Sequence, residues 1–288
     1  MHNRTAMSAF SLLLAALISL APGELATRLF GDAGGLIVPL DPPVGAEVPP
    51  PIVAGEAGRP LVVIDAGHGG HDPGARSPFD GTAEKSVTLA LARAARDAIL
   101  ETGRARVALT RDDDRFLDLR DRYAVAQRLG AALFISIHAD AAPSNDQARG
   151  ATVYTLSEVA SDREAALLAA RENRAGTGAG LAAGDRGVDR ILIDLAQRES
   201  MERSAEFARL LKREAEAGVP FRANFHRFAS LIVLKAPDVP SVLFESGYLT
   251  NAADAAFIQS DDGRRAIASG IAGAVEAHIA RRVLQTIS

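Results

Sequence analysis

The chain has 288 residues, of which 48% are apolar and 24% charged, and a net charge of −4. That is an ordinary globular composition with room for one sizeable domain, and the acidic balance excludes a general nucleic-acid footprint. There is no cysteine, which excludes disulfides, thiol nucleophiles and thiolate zinc sites and suits an oxidising compartment.

Arg4 precedes an apolar run from Ala9 to Ala21, followed by Pro22 and Gly23. This is the layout of a secretory signal peptide, and the run is short for a spanning helix. We read 1–26 as the signal, cleaved near Gly23–Ala26, with no membrane span after its removal; an uncleaved anchor is the alternative. Residues 22–60 hold eight of the fourteen prolines, so 27–58 reads as an extended linker and 59–288 as the folded domain.

Leu61–Ile64 is a short β-branched apolar run, expected to be a buried strand. It stops in a loop with Gly67, Gly69, Gly70, Pro73 and Gly74 that holds His68. Glu84–Thr102 has apolar residues at helical spacing and ends at Gly103. Arg106–Thr110 reads as a strand, and the Arg111–Arg122 charge run as a solvated face. Asp118–Leu129 reads as a helix, and Leu133–His138 and Ala151–Leu156 as strands. Ser161–Arg174 reads as a helix opened by a Ser161–Glu164 capping box. Gly176–Gly187 has five glycines in twelve residues, and a long charged helix follows over Val188–Ala217. Leu231–Lys235 and Val242–Glu245 read as strands, then Ala252–Gln259, with Asn251 as its cap, and Gly263–Leu284 as helices. Alternating strands and helices predict a single α/β domain: a mostly parallel twisted sheet with helices on both faces, plus an inserted helix within 158–187.

Two histidines, His68 and His138, each follow an apolar strand. In a parallel sheet the carboxyl ends of strands line up along one edge, where ligands bind. Glu84 opens the next helix and can lie near His68. Two histidines and a carboxylate make a catalytic-type zinc set with one position open. Glu245 ends the Val242–Phe244 strand at the same edge, placed to act as a general base. The blander reading is structural histidines and a helix-start charge at Glu84. His71 is a further candidate, with a substrate-facing role favoured over zinc, and Asp65 reads as a structural hydrogen-bond acceptor. His226 and His278 read as surface or packing residues.

The blocks VVIDAGHGGHDPGA, the Glu84 position, LFISIHADA and VPSVLFESGYLTN resemble, in order, those of zinc-dependent N-acetylmuramoyl-L-alanine amidases of the AmiA/AmiB/AmiC type. The resemblance covers about 60–280. It implies that His68, Glu84 and His138 bind one Zn2+ per chain and that Glu245 is the catalytic acid/base. It implies a periplasmic peptidoglycan hydrolase that cuts the amide between N-acetylmuramic acid and L-alanine during daughter-cell separation. It also implies autoinhibition: Glu172, favoured, or Glu164 would occupy the open zinc position until a LytM-type coiled-coil activator moves the helix. Division amidases of this type often carry an N-terminal targeting domain, and the linker here is too short and proline-rich to be one. The competing readings are a zinc peptidase or deacetylase acting on the wall, or a catalytically silent wall-binding regulator; retention of all four site residues argues against the last.

Overall fold

The computed structural model describes residues 51–142, 145, 147–175 and 189–287. The signal peptide, the linker up to residue 50 and the glycine-rich 176–187 segment lie outside the described residues. The strands are β1 (Val53–Ala54), β2 (Leu61–Ala66), β3 (Arg106–Leu109), β4 (Leu133–Asp140), β5 (Ala151–Leu156), β6 (Phe221–Ala229) and β7 (Ser241–Tyr248). The helices are α1 (Glu84–Glu101), α2 (Leu119–Arg128), α3 (Arg163–Ala175), α4 (Asp189–Ala215), α5 (Ala252–Gln259) and α6 (Asp261–Ile287).

Among the described residues the strands form one sheet in the order β1-β3-β2-β4-β7-β5-β6. β3, β2, β4 and β7 run parallel, β5 is antiparallel to β7 and parallel to β6, and β1 is antiparallel to β3. β2, β4 and β7 are buried along their whole length, as expected of strands covered on both faces. Their side chains alternate between two cores. Val62, Ile64, Ile135, Ile137, Val242 and Phe244 face α1, α4 and α6. Leu61, Val63, Phe134, Leu243 and Tyr154 face α2 and α3. Each such side chain contributes about 1.5–3 kcal/mol by leaving water. Asp118 caps α2 through Arg120 N, and Asn251 caps α5 through Ala253 N and Asp254 N. The α/β sheet covered on both faces is therefore as expected.

Four local expectations are corrected. Leu231–Lys235 is not a strand but a turn of 3-10 helix at Ile232–Leu234: both edges of β5 are already taken, by β7 and β6. β6 was hidden because Arg222, Asn224, His226 and Arg227 dilute its strand character, and its register shifts between the pairs Ala151↔Phe221 and Val153↔His226. Val53–Ala54, inside the expected linker, pairs with β3. The capping box gives way to Asp162, whose carboxylate accepts from Ala165 N at 2.9 Å; Glu164 turns elsewhere.

Candidate active site

The loop after β2 is shaped by backbone geometry that most residues avoid. His68 has φ 61°, a left-handed conformation that costs a non-glycine residue about 1 kcal/mol or more. A Cβ at Gly67 would lie 2.5 Å from the His138 ring, and one at Gly74 would lie 2.6 Å from both Glu84 Oε2 and His68 Cδ2. Only glycine lets the loop close over the next strand's histidine.

What holds this loop corrects the solvated-face reading of Arg111–Arg122. Arg111 and Arg122 are 1% and 2% exposed. Arg111 donates to the carbonyls of Ala66, Gly67 and Lys85, and Arg122 to those of Ala66, His68 and Leu117. A tight loop leaves carbonyls with no ladder partner, and buried ones must find donors. Arg122 also pairs with Asp65 at 3.0 Å, while Thr110 and Ser136 donate to the same carboxylate at 2.6 and 2.7 Å, the structural role expected of Asp65. Arg122→Met strands Asp65 as a buried charge and should cost about 3–5 kcal/mol of unfolding free energy. A urea midpoint equal to the parent's would show that the hydroxyls suffice.

Along the carboxyl edge of the sheet, His68, His138 and Glu84 converge. The imidazoles lie edge to face, with centroids 4.9 Å apart. Glu84 Oε2 is 3.1 Å from His68 Nε2, and Oε1 is 3.2 Å from His138 Nδ1. The backbone N–H groups of Ala75 and Ala139 fix the two Glu84 oxygens. Glu172, on α3, completes the cluster: its Oε2 is 3.5 Å from His68 Nε2 and 3.4 Å from His138 Nδ1. Donor atoms of His68, His138 and Glu172 all lie within 4.8 Å of one another. All four side chains are buried.

Asp72 escaped the sequence reading. Its Oδ2 is 2.7 Å from His68 Nδ1, so it sets the ring so that Nε2 faces the cluster. An aspartate four residues on in an irregular loop carries no periodic signal; only the turn brings it back. His71, by contrast, is exposed and stacks on Phe116. Glu164 lies away from the cluster, paired with Arg222 and Arg227.

The charge balance asks for a cation. Burial would lower the His68 pKa, but Glu84, Asp72 and Glu172 outweigh it and push it well above the usual imidazole range. Burial would raise Glu84, and His68 and His138 outweigh it in turn, holding it well below the carboxylate range. His68 Nε2 is nonetheless buried with no hydrogen-bond partner. An orphaned imidazole nitrogen among nitrogen and carboxylate donors fits a divalent metal such as zinc.

Glu245 pairs across the sheet with His138. It is 1% exposed and neither oxygen has a partner. Burial, then the negative charges of Asp140, Glu84 and Glu172, push its carboxyl well above the usual range. Such a group is a ready proton carrier beside the cluster. α3 closes the site: a cavity of about 10 Å³ remains among His68, Asp72, His138 and Glu172, about the room one water needs.

The family of N-acetylmuramoyl-L-alanine amidases (Amidase_3) matches residues 62–277. The N-acetylmuramoyl-L-alanine amidase AmiC of Neisseria meningitidis is 36% identical over 79% of this chain and 54% of its own length. AmiA of Salmonella typhimurium is 38% identical over 75% of this chain and 74% of its own. Among solved structures, the catalytic domain of CwlV from Bacillus (Paenibacillus) polymyxa superposes with a TM-score of 0.55 at 26% identity, over 77% of this chain and 98% of that one. The chain thus spans about half of the AmiC relative and three quarters of the AmiA relative.

Proposed function

The chain belongs to the N-acetylmuramoyl-L-alanine amidase family, and from that premise we propose that it hydrolyses the amide between N-acetylmuramic acid and the L-alanine of the peptidoglycan stem peptide. The observation that carries this is the convergence of His68, Glu84 and His138 beside the buried, unpartnered Glu245. His68, Glu84 and His138 are the residues that hold one zinc per chain. When bound, zinc lowers the pKa of a water towards neutrality and polarises a carbonyl. Glu245 takes the proton of the attacking water and returns it to the leaving amine of alanine. Asp72 keeps His68 in register. Digestion of purified sacculi, with mass spectrometry of the products, tests the assignment: new free alanine amino groups support it, and cuts within the stem peptide or acetate release instead would overturn it.

The protein, on this reading, is exported to the periplasm through its N-terminal segment and acts in septal wall splitting. No helix among the described residues is long and apolar enough to cross a membrane.

The same reading makes α3 an autoinhibitory element. Its inward stripe is Ala165, Leu168, Ala169 and Glu172, at the i, i+3, i+4, i+7 spacing of one helix face. The stripe delivers Glu172 to the metal position. Arg171 latches that end of the helix, donating to Asp140 at 2.7 Å, the Ala141 carbonyl at 3.0 Å and Glu172 at 2.9 Å. A LytM-type coiled-coil activator would work by shifting the population towards a helix displaced from the site. Removing Glu158–Gly187, bridged by a short linker, should raise basal hydrolysis in a sacculus-release assay. Glu172→Ala should raise it less, because the rest of α3 still covers the cavity. A folded, zinc-loaded deletion variant with parental activity would rule the mechanism out.

A further inference from the structure

The first turn of α3 carries a carboxylate that the metal centre does not use. Glu164 accepts from both Nη atoms of Arg222, from Arg227 Nη2 at 3.1 Å and from the Tyr248 hydroxyl at 3.0 Å. The Tyr248 oxygen in turn accepts from Arg222, and Arg227 also donates to Tyr154 and Asp162. Burial would raise the Glu164 carboxyl, but Arg222, Arg227 and Tyr248 outweigh it and push it to about 2. A guanidinium fork from Arg222, a single N–H from Arg227 and a phenol converging on one carboxylate are the chemistry of carboxylate recognition. The Glu164 side chain stays 42% exposed against 7% for Arg227, so the cradle is open to solvent on the carboxylate's side.

A cavity of about 780 Å³ adjoins it, lined by Arg222, Arg149, Asn224, Phe221 and Phe257. Arg149 is exposed and makes no hydrogen bond or ion pair among the described residues. The acid in the wall, Asp254, is committed to the N–H groups of Gly150 and Tyr248. The surplus charge of this cavity is therefore positive.

The position relative to the metal cluster is set by register. Tyr248 pairs with Asp140, two residues beyond His138 on β4 and three beyond Glu245 on β7, or about 7 Å along the same sheet edge. Glu164 precedes Glu172 by eight helical positions, about 12 Å. An extended peptide covers that distance in about three residues.

We propose that Arg222, Arg227 and Tyr248, with Arg149 in the adjoining cavity, form a subsite for a carboxylate of the stem peptide about three residues beyond the cut bond. Glu164 is the internal stand-in for that carboxylate. The inference rests on the amidase reading and on the blocking role of α3. The helix then imitates substrate at two points, with Glu172 at the metal and Glu164 in the cradle. Its departure would strip the buried Arg227 of the Glu164 carboxylate and leave Arg222 without its acid, a costly state that an anionic substrate relieves. Helix release and substrate capture are one exchange of carboxylates.

Calorimetric titration of the full chain with the synthetic tripeptide L-alanyl-γ-D-glutamyl-diaminopimelate, and with its fully amidated form, tests this. Glu164→Ala empties the cradle and should tighten binding of the acid about tenfold or more, the scale of a charge-assisted hydrogen bond, while the amide gains nothing. Adding Arg222→Gln should abolish the gain. Equal affinity for acid and amide in the Glu164→Ala protein overturns the subsite, and because both peptides meet the same protein, no difference in folding enters. Sacculus digestion reads the amidase assignment separately. An active enzyme without acid–amide discrimination sinks the subsite alone; discrimination by a protein that stays inactive even after removal of Glu158–Gly187 supports the subsite and sinks the amidase assignment.

Discussion

Glu245→Gln should leave the zinc content at about one per chain and cut hydrolysis of sacculi by about 100-fold or more, the scale of lost acid–base catalysis. The reasoning starts from cost. A carboxyl 1% exposed, with both oxygens unpartnered, destabilises the fold by about 1–3 kcal/mol. The fold tolerates it inside a fully buried strand, next to three other acids whose charges raise its pKa further. Glutamine keeps the shape and removes the charge but cannot take up a proton. The variant should therefore melt no lower than its parent while losing turnover. The rates are best compared in the background lacking Glu158–Gly187, so that α3 does not mask the parent's activity. Parental turnover in the glutamine variant would mean that the proton goes elsewhere.

His68→Ala and His138→Ala should each lose nearly all bound zinc after dialysis, and activity with it. Each removes a nitrogen from a site that offers three permanent protein donors, and an incomplete set holds the metal poorly. The two variants should differ in stability. His68 occupies a left-handed position tied to Arg122 through its carbonyl, and alanine keeps that bond but gains nothing from the strained backbone. His138 lies within β4 without a left-handed backbone, so its loss leaves a cavity and takes one partner from Glu84. Zinc retained at full occupancy in either variant, measured by elemental analysis, would exclude that histidine as a ligand.

The parts of this site that were legible in the sequence are those written by periodicity. β2, β4 and β7 are unbroken apolar runs, and His68, His138 and Glu245 sit where those runs end, so a parallel sheet brings them to one edge. The parts that were not legible depend on what the folded backbone lacks. Arg111 and Arg122 look like solvated charges until the loop after β2 presents carbonyls that need donors. Asp72 matters only once the loop turns it onto His68. Glu164 and Glu172 share four-residue spacing through Leu168, yet eight positions on a helix leave them about 80° apart. One turns to the histidines and the other to Arg222 and Arg227. β6 was hidden for the same reason: its arginines and histidine serve the surface and the cradle rather than the core pattern.

The arginine-anchored loop also bears on the order of events in the life of the protein. Because guanidinium groups tie down the carbonyls around His68, the chain should reach its shape before any ion arrives. Ions would then enter a site already formed. Their supply changes stability only by mass action, by RT ln(1 + [metal]/Kd), and a chelated protein should recover its activity on resupply within the time of diffusion and helix opening, with no refolding step between.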